Sequence, residues 1–401
     1  MTANSFTAAL LSTYPPTQCG LATFSRALQH GLHECGVATG IARMVGAEEE
    51  PIIEPGPTPV VFTHTTNNPL VGVTAALNDH DVVLVQHEFG IFGGADGEEV
   101  VRILDGVKRP VVTVLHTVLT APTMHQRFIM QQLITRSQAL VTMTQTGRRN
   151  LIHHYDVHPD RVQVIPHGAA EIGRGEPGAP VQDPSTVLTW GLLSEGKGIE
   201  WGIEAVAMLH ERYPNLRYLI AGQTHPKVRL AEGERYRFAL MAQARRLGVW
   251  DRVHLIDDYL TGDALARMIR SAAIVLLPYD STDQVTSGVL TEAAVAGKPI
   301  IATRFPHALE LLGPGLGMGS GAGLLVGQKD PEGIARAMRQ LLDDPALARS
   351  LALRTHAIGE EFLWSTVSMR YAELLSAVRT PKVQTPTGQN HRAVPMGASR
   401  G

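Results

Sequence analysis

The sequence predicts an α/β protein built from two doubly wound domains, each around a parallel sheet, that face each other across a cleft. Short apolar runs rich in β-branched residues alternate with helix-like segments over most of the 401 residues. This alternation is typical of right-handed βαβ units. It stops once, at a segment rich in glycine, proline and acidic residues, and then starts again. We therefore expect an N-terminal domain over residues 1–172, a linker over 173–184 and a C-terminal domain over 185–359.

The apolar runs give the expected strands, because buried parallel strands are short and apolar on both faces. In the first half they lie at 7–11, 60–62, 82–85, 111–115, 139–143 and 162–165, with another strand expected within 37–44. In the second half they lie at 186–189, 216–220, 253–256, 274–277, 300–302 and 323–326.

The helices are expected between these strands. The first carries Leu21, Phe24, Leu28 and Leu32 at helical spacing. Later helices are expected at about 199–212, 231–247, 262–271, 287–296 and 331–343, and residues 345–378 also have a helical pattern. The tail over 380–401 is rich in Pro, Gln, Gly and Ser and lacks an apolar period, which predicts disorder.

Composition excludes several classes of protein. The chain is 44% hydrophobic with a net charge of −3, so no basic surface for nucleic acid is expected. Two cysteines, Cys19 and Cys35, fit a reducing cytoplasm better than a disulfide scaffold. No signal peptide and no transmembrane run is found, so we expect a cytoplasmic protein, with peripheral membrane contact left open.

A metal site is not expected, although the chain has 17 histidines. They are scattered over both halves, and neither H-E-x-x-H nor C-x-x-C occurs. His153 and His154 come late in a helical segment and are interpreted as a helix end. Asp79-His80-Asp81 has the D-x-D form, but it precedes a strand and is interpreted as a turn.

The segment 278–302 has the pattern of a strand end, a polar loop and a new helix. Thr286 or Ser287 is suited to cap that helix, and Gly297 ends it. A helix N-terminus after a parallel strand offers free N–H groups and a positive dipole end, which favour an anion. Glu292 lies one to two turns further on. It is either a solvated helix residue or an acceptor for sugar hydroxyls beside a bound phosphate.

Histidine, glycine and charged residues follow the strands in both halves. Since the carboxyl ends of parallel strands share one edge of a sheet, the cleft between the domains is the expected site. Lys197 stands in a glycine-flanked loop before a helix, which suits a diphosphate, although a surface lysine near a turn has the same pattern. The P-loop spacing is absent, and no G-x-G-x-x-G follows the first strand, which argues against an NAD dehydrogenase.

These motifs resemble the family 4 retaining glycosyltransferases. Gln284 and Glu292 occupy the two positions of the family's E-x7-E motif, with Gln in place of the first acid. Residues 191–198 resemble the family's phosphate loop, with Lys197 at its lysine and Leu192 where an arginine is common. Residues 14–24, 87–94, 116–117 and 165–168 resemble a bacterial subgroup.

The resemblance implies the glycosyltransferase B (GT-B) fold, with two Rossmann-like domains and a final helix over 360–379 that returns to the N-terminal domain. It implies transfer of a hexosyl group from UDP- or GDP-hexose to a hydroxyl of a carbohydrate or other acceptor, with retention and without metal or other cofactor. The implied catalytic residues are His116, Lys197, Gln284 and Glu292. The expected donor contacts are Gly191, Gly196, Lys197, Gly222, Asp257, Thr286, Ser287, Gly288, Val289 and Glu292.

The acceptor is expected beside Gln18, Gly20, His87, Glu88 and His167. His87 and Glu88 are candidates for acceptor binding or for a general base, and a structural role in their loop is an equal alternative. The nucleobase is expected to meet main-chain groups of residues 257–260. Two other functions stay open: a nucleotide-sugar epimerase or phosphorylase on the same fold, and a non-catalytic sugar-nucleotide-binding subunit.

Overall fold

The computed structural model describes residues 6–46, 59–65, 69–171, 184–258, 260, 262–314 and 321–379. The predicted linker lies outside this part except for Pro184, and the predicted tail over 380–401 lies wholly outside it, as does Tyr259 of the expected nucleobase segment.

The first sheet contains the strands β1 (Thr7–Ser12), β2 (Ala38–Val45), β3 (Val60–Thr65), β4 (Val82–His87), β5 (Val111–Leu115), β6 (Ala139–Thr142) and β7 (Val162–Val164). Their spatial order is β3-β2-β1-β4-β5-β6-β7, and all pairings are parallel. The order reverses between β1 and β4, which is where an open α/β sheet leaves a crevice for ligands.

The second sheet repeats this plan with β8 (Thr186–Trp190), β9 (Arg217–Ala221), β10 (Val253–Ile256), β11 (Ile274–Leu277), β12 (Ile300–Thr303) and β13 (Leu324–Val326). The order is β10-β9-β8-β11-β12-β13, again with parallel pairing throughout. Its reversal lies between β8 and β11. We call the two sheets with their flanking helices the N-terminal and C-terminal domains.

Both sheets are buried on both faces, which explains why their strands are continuous apolar runs. In β4, Val83 and Val85 join one apolar cluster while Val82 and Leu84 join another on the opposite face. This period of two is the pleat of the strand. The same alternation along β11 divides the core of the C-terminal domain into two layers.

The helices are α1 (Gly20–Glu34), α2 (Leu70–Asn78), α3 (Glu99–Asp105), α4 (Met124–Arg136), α5 (Gln145–Tyr155), α6 (Ile199–Leu209), α7 (Pro226–Glu232), α8 (Arg235–Arg246), α9 (Gly262–Ser271), α10 (Gly288–Val295), α11 (Pro306–Leu312), α12 (Pro331–Asp343), α13 (Pro345–Gly359) and α14 (Trp364–Arg379). His153 and His154 fall in the last turn of α5, as expected.

The structure differs from the predicted helices in three places. The helix expected at 231–247 is α8, which begins only at Arg235, and a separate helix, α7, ends at Glu232, because Gly233 takes a φ of +66° between them. The helical segment 345–378 is broken by a 3-10 turn at Glu360–Phe362. Helix α11 was not predicted, since its seven residues are too few to show an apolar period.

The last helix packs on the N-terminal domain. Val367, Tyr371 and Leu375 recur every four residues on one face of α14 and are buried in the same cluster as Leu28 of α1. Gly31 allows the close approach, because a methyl group there would lie 2.0 Å from Ser368 Oγ. The chain thus returns to its first domain after completing its second.

Candidate functional site

The loop after β8, residues 191–198, is tied by main-chain hydrogen bonds to the loops after two neighbouring strands. Leu193 N donates to Gln223 O at 2.9 Å, beside the end of β9. Asp280 N donates to Gly196 O at 3.0 Å, beside the end of β11. Three predicted donor segments therefore meet at the carboxyl edge of the second sheet.

Glycines permit this close packing. A methyl group at Gly222 would lie 2.0 Å from Gly191 O, and one at Gly198 would lie 1.8 Å from Pro278 O. Both glycines also have positive φ, +150° and +64°. A methyl group at Gly191 would lie 3.5 Å from Val289 Cγ2, so the loop passes the start of α10. Only glycine fits such contacts without moving the backbone.

Lys197 lies in this loop with its charge unneutralised. Its Nζ stands 4.6 Å from the centroid of the Tyr279 ring, a cation–π contact. Burial lowers the pKa of Lys197, and no carboxylate pairs with it in the described part of the chain. Burial raises the pKa of Tyr279 to about 12, so the phenol beneath the ammonium is neutral. The site thus presents a positive charge suited to an anionic ligand.

A second lysine contributes to the same electrostatic region. The pKa of His225 is lowered by burial and then by Lys227 and Lys197. The two ammonium groups therefore act on one imidazole from the ends of β8 and β9, and the region favours a negative ligand.

Helix α10 begins beside Tyr279, the ring that Lys197 contacts, because the Tyr279 hydroxyl interacts with the Ser287 side chain. The helix has free donors in its first turn. Of the two predicted caps, Ser287 fills the position, and its Oγ accepts from Leu290 N at 3.2 Å. Ser287 N donates to His307 Nδ1 at 2.9 Å. The N–H groups of Gly288 and Val289 are then the first-turn donors that no protein acceptor satisfies in the described residues.

Gln284 lies in the loop that leads into α10. Its Nε2 donates to Thr286 O at 3.1 Å. The side-chain amide oxygen takes no part in this hydrogen bond and is available as an acceptor. His307 N donates to Gln284 O at 3.3 Å, so the same histidine segment that fixes the start of α10 also supports this loop.

Glu292 is half-buried and fixed rather than solvated. Trp190 Nε1 donates to Glu292 Oε2 at 2.8 Å. Burial raises the pKa of this carboxyl, and the hydrogen bond from Trp190 opposes the rise. Its other oxygen, Oε1, has no hydrogen-bond partner among the described residues, so one acceptor position remains available to a ligand.

Asp257 is held by a buried arginine that the sequence did not indicate. Arg237 NH2 donates to Gly222 O at 2.6 Å and pairs with Asp257 Oδ1 at 2.8 Å. The guanidinium thereby joins the carboxyl ends of β9 and β10. Asp257 is the first residue of the segment expected to contact the nucleobase, so Arg237 fixes the start of that segment.

Phe24 of α1 organises the opposing edge in the N-terminal domain. The rings of His116, His167 and Trp364 each lie with their centroids 5.0 Å from that of Phe24 in edge-to-face contacts. Such contacts hold aromatic rings in defined orientations. The ends of β5 and β7 and the start of α14 therefore meet at one aromatic side chain.

The two predicted histidines beside Phe24 are neutral. Burial lowers the pKa of His116 to about 3 and that of His167 to about 4. His116 Nε2 lies 2.8 Å from Gln86 Oε1, and His167 Nδ1 lies 2.7 Å from Gly168 O. Since each of these oxygens accepts a hydrogen bond from the ring N–H, His116 Nδ1 and His167 Nε2 are left as hydrogen-bond acceptors.

His87 and Glu88 support the shape of their own loop. His87 is fully buried, with its ring 5.0 Å from Phe89 and 6.3 Å from Phe92, and burial lowers its pKa to about 3. Glu88 Oε1 accepts from Phe89 N at 3.0 Å, and Oε2 accepts from Thr117 Oγ1 at 2.5 Å. Both oxygens of Glu88 are thus engaged within the domain, which favours the structural alternative over the general base.

A buried pair lies under the same loop. Gly93 N donates to Glu99 Oε2 at 3.1 Å, and Glu99 Oε1 stands 3.3 Å from His64 Nε2. Both side chains are almost wholly buried. The loop is therefore supported by residues from β3 and α3 as well as by its own contacts.

The two domains contact each other at the site. A methyl group at Gly288 would lie 3.0 Å from His167 Cε1 and Nε2, so this histidine of the N-terminal domain faces the start of α10. Gly20 begins α1, behind the cap residue Cys19. Two hydrogen bonds add to the contact: Gln223 Nε2 to Gln18 Oε1 at 2.8 Å, and Lys227 Nζ to Gly90 O.

Several residues of this site were missed by the sequence analysis. Trp190 and Gln86 directly precede Gly191 and His87, so adjacency to a motif was a usable signal. Arg237 and His307 stand in helices away from every motif, and their roles arise only from tertiary contacts. In the described part of the chain, His, Cys, Asp and Glu form no group of three that could hold a metal ion. None of the described helices has the length and apolar character of a membrane span.

Comparison with known proteins agrees with this geometry. Residues 184–344 match the family described as glycosyl transferases group 1. D-inositol 3-phosphate glycosyltransferase of Corynebacterium glutamicum is 31% identical over 263 residues, which are 62% of this chain and 59% of the relative. Residues 184–344 therefore form a glycosyl transferases group 1 domain. The resemblance drawn from the motifs is therefore confirmed.

Other group 1 relatives and solved structures extend the comparison. The enzyme of the same name from Corynebacterium efficiens is 31% identical over 269 residues, or 64% of this chain and 60% of the relative. The chain thus spans about three fifths of the length of these relatives. Anabaena HepE in complex with UDP and glucose superposes with a TM-score of 0.70 at 17% identity, covering 92% of this chain and 99% of that one. Sucrose-phosphate synthase from Thermosynechococcus elongatus gives 0.73 at 16% identity, covering 93% and 99%. The predicted GT-B fold is confirmed.

Proposed function

We propose that this protein transfers a hexosyl group from a UDP- or GDP-sugar to a hydroxyl of a carbohydrate or other acceptor, with retention of configuration and without a metal ion or other cofactor. We place it in the cytoplasm, where the free thiols of Cys19 and Cys35 would stay reduced. No nucleic acid takes part.

The observation that carries the proposal is the corner formed by Lys197, the start of α10 and Glu292. A cation without a carboxylate partner and the capped start of a helix both lie beside Tyr279, and the next turn of that helix presents a half-buried carboxylate with one free oxygen. A nucleoside diphosphate has the matching parts, namely two phosphates and a ribose with hydroxyl donors.

The chemical task is to stabilise the charge that forms on the departing diphosphate. Lys197 and the N–H groups of Gly288 and Val289 are already oriented before the bond breaks, so they stabilise that charge with little rearrangement. Lys227 adds positive potential at the diphosphate site. It compensates for Leu192, which stands where an arginine is common in the family. Glu292 would accept hydrogen bonds from the ribose, and its orientation is fixed by Trp190.

Neutral groups would orient the donor sugar. His116 presents Nδ1 as an acceptor for a sugar hydroxyl, and the free amide oxygen of Gln284 offers a second acceptor. Because both side chains are neutral, they place no unpaired charge beside the reacting carbon. We assign no enzymic nucleophile, because none of the neighbouring side chains is placed for that role by the contacts described.

The names and ligands of the relatives guide the choice of substrates. The curated relatives are named for D-inositol 3-phosphate, and the solved HepE structure holds UDP and glucose. We therefore take UDP-glucose and GDP-mannose as the first donors to test, and polyol phosphates and sugars as the first acceptors.

The test is a metal-free thermal-shift series with UDP, GDP, ADP, UDP-glucose and GDP-mannose on wild type, Lys197→Ala and Lys108→Ala. Ligand at a hundred times its Kd should stabilise the wild type by about 2.7 kcal/mol. The shift should be lost in Lys197→Ala and kept in Lys108→Ala, whose lysine is exposed and remote from the site. If no nucleotide shifts the wild type, the nucleotide-sugar function is wrong.

Product analysis separates the remaining alternatives. Transfer consumes the nucleotide sugar and releases the nucleoside diphosphate, whereas a phosphorylase needs inorganic phosphate and an epimerase returns a nucleotide sugar. A non-catalytic binding subunit, suggested by Gln284 and Leu192, would show the thermal shift without any product across the acceptor panel.

A further inference from the structure

A carboxylate of the C-terminal domain binds the start of a helix in the N-terminal domain. Glu310 of α11 accepts from Gln145 N at 2.7 Å through Oε1, and from Thr146 N at 2.9 Å through Oε2. Thr146 Oγ1 donates to the same Oε2 at 2.8 Å. Three donors thus converge on one carboxylate at the N-terminus of α5. We call this the Glu310 contact.

The helix that carries Glu310 also carries His307, which holds the donor site. His307 lies one turn earlier on α11, is buried, and accepts the N–H of Ser287, the residue that caps α10. Burial lowers the pKa of His307 to about 3, so its Nδ1 stays an acceptor at neutral pH. Helix α11 therefore joins α5 of one domain to α10 of the other.

We propose that Glu310 is a positioning residue for glycosyl transfer. When the domains are closed, the Glu310 contact fixes α11, and α11 through His307 fixes the first turn of α10 that would receive the diphosphate. The inference rests on the proposed function, because its benefit is to the donor site. Glu310 touches neither substrate, but it links closure of the cleft to the geometry of the leaving-group site.

The charge of Glu310 suits this role. A helix N-terminus carries a partial positive charge and free N–H groups, and hydrogen bonds to an ionised carboxylate are stronger than those between neutral groups. The contact is also half-buried, which limits screening by water. Closure excludes water from the cleft. Loss of the Glu310 contact should therefore slow transfer more than it weakens binding of the donor to the C-terminal domain.

The experiment uses Glu310→Gln on one side of the contact and Thr146→Val on the other, alone and together. Both changes preserve side-chain size. We expect Glu310→Gln to lower kcat for transfer about tenfold, or about 1.4 kcal/mol, with the donor KM changed less than about twofold. Thr146→Val should lower kcat less, because the N–H groups of Gln145 and Thr146 still donate to Glu310. The double variant should lose less than the sum of the two single losses, because both changes weaken the same contact.

Solution scattering of the unliganded variants gives a reading that does not depend on turnover. Glu310→Gln should have a larger radius of gyration than the wild type, and Glu332→Gln should not. Glu332 is a matched control, since it is an exposed carboxylate in the first turn of α12 that pairs within its own helix with Arg336 at 3.6 Å.

The outcomes are distinct. Unchanged dimensions together with unchanged kcat in Glu310→Gln would overturn the inference, as would losses that simply add in the double variant. If the wild type transfers no sugar but Glu310→Gln still opens the molecule, the contact between the domains stands and the proposed function fails.

Discussion

The two edges that face each other at the site are built by different means. In the C-terminal domain, the loops after β8, β9 and β11 are tied together by main-chain hydrogen bonds and by glycines in close contact with carbonyl oxygens. In the N-terminal domain, the corresponding edge is an arrangement of side chains, with neutral histidines packed on Phe24 and on the loop aromatics.

The difference fits what each edge has to contact. A diphosphate is bound well by N–H groups and a cation, which a glycine-rich backbone can bring close to the phosphate oxygens. A sugar hydroxyl needs acceptors at particular positions, which rigid rings supply. We therefore expect the C-terminal edge to be sensitive to added atoms and the N-terminal edge to be sensitive to lost packing and to pH.

The largest effect is expected from Phe24→Ala. This change removes the ring that supports His116, His167 and Trp364, and a buried Phe→Ala change typically costs about 3–5 kcal/mol. Urea denaturation should show a loss of about 4 kcal/mol in the free energy of unfolding. Phe128→Ala, at a half-exposed phenylalanine of α4, should cost less than about 1 kcal/mol. Equal losses in the two variants would contradict the supporting role of Phe24.

A smaller effect, of about 3 kcal/mol, is expected from Gly198→Ala in the C-terminal edge. The added methyl group meets Pro278 O at 1.8 Å and also forces a non-glycine residue to a φ of +64°. Gly248→Ala is the matched control, because Gly248 ends α8 with a φ of +73° and no atom lies within 4 Å of the new methyl group. It should cost about 1 kcal/mol, and the difference in urea midpoint measures the close contact alone.

The smallest effect is a pH dependence that belongs mainly to the N-terminal edge. His87 and His116 have pKa values of about 3 when folded, against about 6.5 when unfolded. Between these values the unfolded chain binds more protons, so their contribution is complete above about pH 6.5 and falls as the pH is lowered towards 3. Each histidine should cost up to about 1.4 kcal/mol of stability per pH unit in that window.

The measurement is the urea midpoint at pH 7.5, 6.5 and 5.5 for wild type and His87→Leu. The variant should show the shallower dependence. Glu88 and Glu292 act in the opposite direction, because burial raises their pKa values. An equal slope in both proteins would show that His87 does not titrate with unfolding.

Much of the fold followed from local patterns. The expected strands lie within a few residues of the observed ones, and Ser287 caps α10 as one of the two candidates. Lys197 and Glu292 were located correctly on a loop and a helix, because glycine flanks, caps and apolar period are all encoded within a few neighbouring residues. Helix α11 escaped prediction for the same reason, since seven residues show no period.

The sequence by itself determined two parallel sheets, the order of their strands along the chain, and which polar segments follow each strand. Only the tertiary structure decided what those segments meet: Trp190 on Glu292, Arg237 on Asp257, His167 against Gly288, and Glu310 on the start of α5. The physical reason is the separation of the contacting residues along the sequence. Helix caps and strand alternation depend on neighbouring residues, whereas these contacts join residues separated by up to 165 positions. They form only when two folded domains and the returning helix α14 are packed together.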